Sequence, residues 1–138
     1  MNVLIVDDEK LLLWSLKRLF NKNKIDVQTV QSGEEALLQL EQKRFDWLIS
    51  DMRLPGISGL EVLRFAKKSQ PHIRTVVISA FGSTSLRSQL TEIGIDLYLD
   101  KPFDLDVLLQ FIQSVKPTQS PEPPPPSKKT IEKMFSFL

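Results

Sequence analysis

The chain has 138 residues, a formal net charge of +1, a single histidine and no cysteine. That length suits one domain with a short appendage and can enclose a hydrophobic core without staples. The missing thiols exclude disulfides and thiolate metal sites, His72 alone excludes Ser-His-Asp, Cys-His and multi-His zinc chemistry, and a near-zero charge with no long basic run argues against general attraction to nucleic acid or membrane surfaces.

In chain order, residues 3–6 are an apolar run cut short by Asp7-Asp8. Without a basic leader this run reads as a buried strand and not a signal peptide, and no run reaches membrane-spanning length, so a soluble cytoplasmic protein is expected. Leu12, Leu16, Leu19 and Phe20 mark one face of a first helix, which fades near residues 21–23. Residues 27–30 form a second strand. Ser32 is the expected N-cap of a second helix, with Glu35 at capping-box spacing and Ala36, Leu37 and Leu40 inward. Residues 47–49 form a third strand, followed by the Leu54-Pro55-Gly56 turn. Ser58 caps a third helix with Leu60, Leu63 and Ala66 inward.

Residues 75–78 form the fourth strand. Leu86, Leu90 and Ile93 mark a fourth helix stopped by Gly94, and residues 97–99 form the fifth strand. Asp104 caps a last helix, with Leu105, Leu108, Leu109 and Ile112 on one side and an end near Lys116. Trp47 is expected in the core, His72 exposed, and Gly56 and Gly59 as turn and packing glycines. Five alternations of short apolar strands with helices imply an α/β fold whose parallel sheet is covered on both faces. In such sheets chemistry gathers at the carboxyl ends of the strands.

Beyond the last helix, residues 117–127 are rich in Pro, Ser and Thr, with four consecutive prolines at 123–126. They are expected to form an extended, semi-rigid spacer between a domain at 1–116 and a short tail at 128–138. Ile131, Met134, Phe135 and Leu138 share one apolar helical face of that tail, a pattern that suits docking on the preceding domain, on a second copy or in a partner's groove.

The strand ends carry the chemistry. Strand one ends in Asp7-Asp8, strand three in Asp51, strand four in Ser79, and strand five runs into Lys101. Three carboxylates brought together resist simultaneous ionisation, and Mg²⁺, a hard cation that takes oxygen ligands, relieves the repulsion. A carboxylate beside such a cation can attack phosphorus and become an aspartyl phosphate. Lys101 can then balance the phosphoryl oxygens while the Ser79 hydroxyl donates to one of them.

The segments Val3-Leu4-Ile5-Val6-Asp7-Asp8-Glu9, Asp51-Met52-Arg53-Leu54-Pro55-Gly56-Ile57-Ser58-Gly59, Val77-Ile78-Ser79-Ala80 and Tyr98-Leu99-Asp100-Lys101-Pro102-Phe103 resemble the receiver domain of two-component response regulators, the CheY-like family. The resemblance runs from Asn2 to about Val115. It implies a doubly wound, flavodoxin-like (βα)5 fold with strand order 2-1-3-4-5. By it, Asp51 is the phosphoacceptor, and Asp7, Asp8, Asp51 and the Arg53 carbonyl hold Mg²⁺. It further makes Lys101 the phosphoryl contact, Ser79 and Tyr98 a switch pair, and Lys101-Pro102 a cis peptide. Ser79 stands where threonine is commoner, keeping the hydroxyl and losing a methyl.

The implied partners are a histidine kinase or phosphotransfer protein and a downstream target, with a phosphorylation-dependent dimer as a further expectation. Leu11 and Trp14, off the stripe of the first helix, and Phe103 should rim the phosphorylation edge. Val107 and Phe111, off the stripe of the last helix, should mark an output contact. Two other readings stay open at this stage. One is a small aspartyl-phosphate hydrolase, although such enzymes usually place their carboxylates two residues apart on one loop, and Asp7 and Asp8 are adjacent. The other is a phosphate-independent scaffold, although such domains commonly lose the acceptor or the lysine.

Overall fold

A computed structural model describes residues 1–80 and 82–115. The spacer at 117–127 and the apolar face of Ile131, Met134, Phe135 and Leu138 lie outside the described residues. The elements follow one another as β1 (Asn2–Val6), α1 (Lys10–Lys22), β2 (Asp26–Val30), α2 (Gly33–Gln42), β3 (Trp47–Asp51), α3 (Gly59–Ser69), β4 (Arg74–Ser79), α4 (Thr84–Ile93), β5 (Leu97–Asp100) and α5 (Leu105–Ser114). The described residues divide into two units, one ending at Pro102 and one beginning at Phe103.

In the first unit all five strands pair in parallel in the order β2-β1-β3-β4-β5, the doubly wound order. Successive strand side chains point to opposite faces, and both faces of β1, β3 and β4 are buried. Leu4, Val6, Leu48 and Val77 pack with Ala36, Leu40, Val62, Leu63, Ala66 and Leu90 from α2, α3 and α4. The alternate residues Val3, Ile5, Trp47, Ile49, Val76 and Ile78 are equally buried on the other face, the side of α1 with Leu13, Leu16 and Phe20. Truncating any of these large core side chains to alanine would cost about 2–5 kcal/mol.

In α1 and α3 the structure buries an apolar residue that the sequence expectation did not name. α1 buries Leu13, Leu16 and Phe20, whereas Leu12 and Leu19 are only half-buried and flank the stripe. α3 buries Val62 with Leu63 and Ala66, and Leu60 is half-buried. In both cases several adjacent apolar residues satisfy helical spacing, and the sheet's position selects which of them is centred. The edge strands β2 and β5 are also more exposed than an apolar run suggests, because each has a neighbour on one side only.

The caps form as their residue types require. Ser32 Oγ accepts from the Glu35 N–H at 3.2 Å, and Glu35 in turn accepts from the Gln31 N–H at 2.9 Å, so the box closes one residue before the cap. Ser58 and Ser83 accept from the Glu61 and Leu86 N–H groups at 3.3 and 3.1 Å. Gly94, at φ +85°, ends α4 in the left-handed region that an L side chain resists. In the second unit, Asp104 accepts from the Asp106 N–H at 2.9 Å, and α5 buries Leu108, Leu109 and Ile112. Trp47 is buried and His72 exposed.

Backbone pairing continues just past the strand ends and fixes the chemistry-bearing residues. The Asp7 N–H donates to Val30 O at 3.2 Å, Met52 N–H to Ile78 O at 3.1 Å, and Lys101 N–H to Ser79 O at 2.9 Å. Asp7, Asp51, Ser79 and Lys101 therefore share one edge of the sheet.

Candidate functional site

Lys101 sits at the centre of this edge. Its Nζ donates to Asp51 Oδ2 at 2.9 Å and to Glu9 Oε1 at 3.0 Å. It also lies 3.0 Å from Asp7 Oδ2, an ionic contact and not an aligned hydrogen bond, since that buried oxygen has no hydrogen-bond partner among the described residues. Asp7 and Asp51 are almost wholly buried, whereas Asp8 and Glu9 are exposed. The remaining oxygens are held by backbone: Asp7 Oδ1 accepts from the Glu9 N–H at 2.9 Å, and Asp51 Oδ1 from the Arg53 N–H at 3.1 Å.

Burial raises the Asp7 pKa above its ordinary 3.8; the Glu9 N–H and the Lys101 ammonium pull it down, and the Asp51 charge pushes it up again. For Lys101, burial works to lower the pKa, but the hydrogen bonds to Asp51 and Glu9 and the ionic contact with Asp7 outweigh burial and raise it, so the ammonium is held charged. One cation thus faces three carboxylates, and a fourth, Asp8, stands beside them. Asp7, Asp8 and Asp51 each present an oxygen within 4.8 Å of the others. An all-oxygen donor set with an orphaned buried carboxylate oxygen fits a hard divalent cation such as Mg²⁺.

The loop after β3 is held against Asp51 by close backbone approach. A Cβ on Gly59 would strike the Asp51 carbonyl oxygen and the Met52 backbone, while the Gly59 N–H donates to Met52 O at 3.2 Å. Gly56, at φ +74°, makes the turn, and Glu34 from the start of α2 bolts it by accepting from the Ile57 N–H at 3.0 Å. Gly59→Ala is therefore expected to destabilise the fold by about 1–3 kcal/mol. Chemical denaturation would measure the loss, and an unchanged midpoint would count against this packing.

Ser79 is buried at the end of β4. The Tyr98 hydroxyl is buried without a hydrogen-bond partner among the described residues. A Cβ on Gly82 would clash with it, and the Arg87 guanidinium sits 4.9 Å from the ring centre. Arg87 also pairs with Asp100 at 3.5 Å. An open cavity of about 190 Å³ between α4 and β5 is lined by Arg87, Leu90, Thr91, Ile95 and Tyr98. The Lys101–Pro102 peptide bond is cis.

On α1, Leu11 is 76% exposed and Trp14 58%, with the Arg18 guanidinium 5.3 Å from a Trp14 ring. Phe103, Val107 and Phe111 belong to the second unit, where Val107 is exposed and Phe103 and Phe111 are half-buried. Sequence reading gave no role to Glu9, Glu34 or Arg87. Glu9 was visible as a third acid after the Asp7-Asp8 pair, but nothing in the spacing told that it would reach Lys101.

A doubly wound parallel sheet with clustered carboxylates and one lysine at its carboxyl edge defines a phosphoacceptor signalling module. The chain belongs to the family of response regulator receiver domains, whose family model matches residues 3–113. It is 30% identical over 118 residues to sporulation initiation phosphotransferase F of Bacillus subtilis (strain 168), covering 86% of this chain and 95% of that protein. It is 34% identical over 125 residues to response regulator MprA of Mycobacterium sp. (strain KMS), covering 91% of this chain but only 54% of MprA, so it spans about half of that relative.

Among solved structures, a CheY-like receiver domain protein from Methanospirillum hungatei JF-1 superposes with a TM-score of 0.78 at 28% identity, covering 81% of this chain and 90% of that one. TrrA of Thermotoga maritima, solved in complex with Mg(2+)-BeF, gives 0.71 at 31% identity, covering 81% and 96%. No helix among the described residues is long and apolar enough to cross a membrane.

Proposed function

We propose that Asp51 of this receiver accepts a phosphoryl group from a phosphohistidine on a partner kinase or phosphotransfer protein. The observation that carries this is the Lys101 ammonium held 2.9 Å from Asp51 Oδ2, with Asp7 and Asp8 beside it. An Asp51 oxygen forms the new O–P bond as the N–P bond breaks, and the electron pair leaves with the imidazole nitrogen. Asp7, Asp8, Asp51 and the Arg53 carbonyl would hold Mg²⁺, which when bound supplies charge neutralisation at the phosphoryl oxygens. Lys101 orients and neutralises one of those oxygens, and the burial of Asp7 and Asp51 keeps water from diluting these charges. TrrA, complexed with Mg(2+)-BeF, supports both the cation and the anion site. Incubation with acetyl phosphate and Mg²⁺, followed by borohydride reduction and peptide mapping, should place a single modification on Asp51; a label elsewhere would overturn the reading.

A switch is proposed on the same edge. Once Asp51 is phosphorylated, the Ser79 hydroxyl turns to donate to a phosphoryl oxygen, and Tyr98, whose buried hydroxyl has no hydrogen-bond partner among the described residues, moves into the space released. The change is read out on the α4–β5 face. Beryllofluoride with Mg²⁺ should shift the amide resonances of Ser79, Gly82, Arg87 and Tyr98; unmoved resonances there would sink the mechanism. Docking of the phosphodonor is assigned to α1, which begins directly after Glu9 and presents Leu11 and Trp14 to solvent.

A further inference from the structure

We propose that Glu9 is a positioning residue that holds Lys101 in the resting site and competes with the phosphoryl group for it, an inference that rests on Asp51 being the acceptor. The Lys101 ammonium makes two aligned hydrogen bonds, to Asp51 Oδ2 and Glu9 Oε1, and one ionic contact, to Asp7 Oδ2. An ammonium has three N–H donors and no more. Three carboxylate oxygens already lie within 3.0 Å of this ammonium, so a phosphoryl oxygen arriving on Asp51 has to displace one of them.

Burial decides which. The Asp7 and Asp51 side chains are 1% and 8% exposed, and that of Glu9 is 60% exposed. A buried carboxylate stripped of its cation bears the full desolvation cost, whereas Glu9 can swing into water at little cost. The backbone of Glu9 is meanwhile fixed. Its N–H donates to Asp7 Oδ1, its carbonyl accepts from the Leu13 N–H at 3.1 Å, and it occupies the N-cap of α1. Its carboxylate makes no cap hydrogen bond to that helix and is turned to Lys101 instead. Glu9 is thus a tether with a fixed anchor and a releasable end. It keeps Lys101 over the site until the phosphoryl group displaces it, and it weakens phosphoryl binding by the strength of the pair it loses.

Beryllofluoride, at saturating Mg²⁺, is the probe. Glu9→Gln and Glu9→Ala should bind it about two- to five-fold more tightly than the wild type, the range of one exposed ion pair. In a Lys101→Ala background the same changes should give no gain. With Glu9 labelled at its side-chain carboxyl carbon, beryllofluoride should move that resonance toward its position in unliganded Lys101→Ala protein, a response that a merely structural residue would not show. If Lys101→Ala binds too weakly to measure, the labelled resonance decides. Unchanged affinity in Glu9→Gln, an equal gain without Lys101, or a stationary Glu9 resonance each overturns the proposal. Wild-type protein that fails to bind beryllofluoride, or Asp51→Asn that binds it equally well, would instead overturn the acceptor reading, and the Glu9 inference with it.

Discussion

Substitution of Asp51 by asparagine is expected to abolish phosphoryl incorporation from acetyl phosphate while leaving the protein folded. The site contains Asp7, Asp8, Glu9 and Asp51 against Lys101, so acids outnumber the cation, and removing one negative charge relieves repulsion as well as costing Lys101 a partner. The melting temperature of Asp51→Asn should accordingly match or exceed the wild type, which separates a lost nucleophile from a lost fold. Geometry alone makes Asp7 and Asp51 near-equals, each with one oxygen on a backbone N–H and one close to Lys101. Asp51 is distinguished by its place before the loop that Gly59 seals against it. Asp7→Asn should therefore still incorporate a phosphoryl group, more slowly, whereas Asp51→Asn should show none by intact mass. Equal labelling of Asp51→Asn, or complete loss in Asp7→Asn alone, would reassign the nucleophile.

The sheet and the edge residues were legible because they follow from short-range rules. Apolar runs ending in Asp7-Asp8, Asp51, Ser79 and Lys101 fix both the strands and the side that their chemistry occupies, since a parallel sheet points all carboxyl ends one way. Caps such as Ser32, Ser58 and Asp104 were equally legible, being local side-chain-to-backbone bonds. What escaped depends on tertiary placement. Choosing Leu13 over Leu12, or Val62 over Leu60, needs the rotation of a helix against the sheet, which helical periodicity leaves free by a fraction of a turn. Glu34 reaching Ile57, and Glu9 reaching Lys101, join residues 23 and 92 positions apart, and no sequence pattern measures such distances.

Mg²⁺ is expected to raise the melting temperature, and Asp8→Asn to remove most of that response. Three carboxylates with oxygens within 4.8 Å of one another repel in the metal-free protein. At about ten times its dissociation constant a ligand specific for the folded state adds about 1.4 kcal/mol of stability. Asp8 is exposed, so its repulsion with its neighbours acts through water and is worth about 1 kcal/mol at this separation. Without Mg²⁺, Asp8→Asn should therefore melt higher than the wild type, and with Mg²⁺ the order should narrow or reverse. Acidity gives an independent reading of the same crowding. The folded-state pKa of Asp7 lies above its ordinary 3.8, so in that window the native state binds the proton that the unfolded chain has released. More protons bound by the native state means that the Asp7 contribution makes metal-free stability fall as pH rises from 3.8 through the raised value, opposite to the usual carboxylate. Bound Mg²⁺, by favouring the charged form, should flatten that fall, and Asp7→Asn should remove it. Denaturant midpoints measured across this pH range, with and without Mg²⁺, would show the difference; a pH profile indifferent to both the cation and Asp7→Asn would mean that the carboxylates are not coupled in the way their geometry requires.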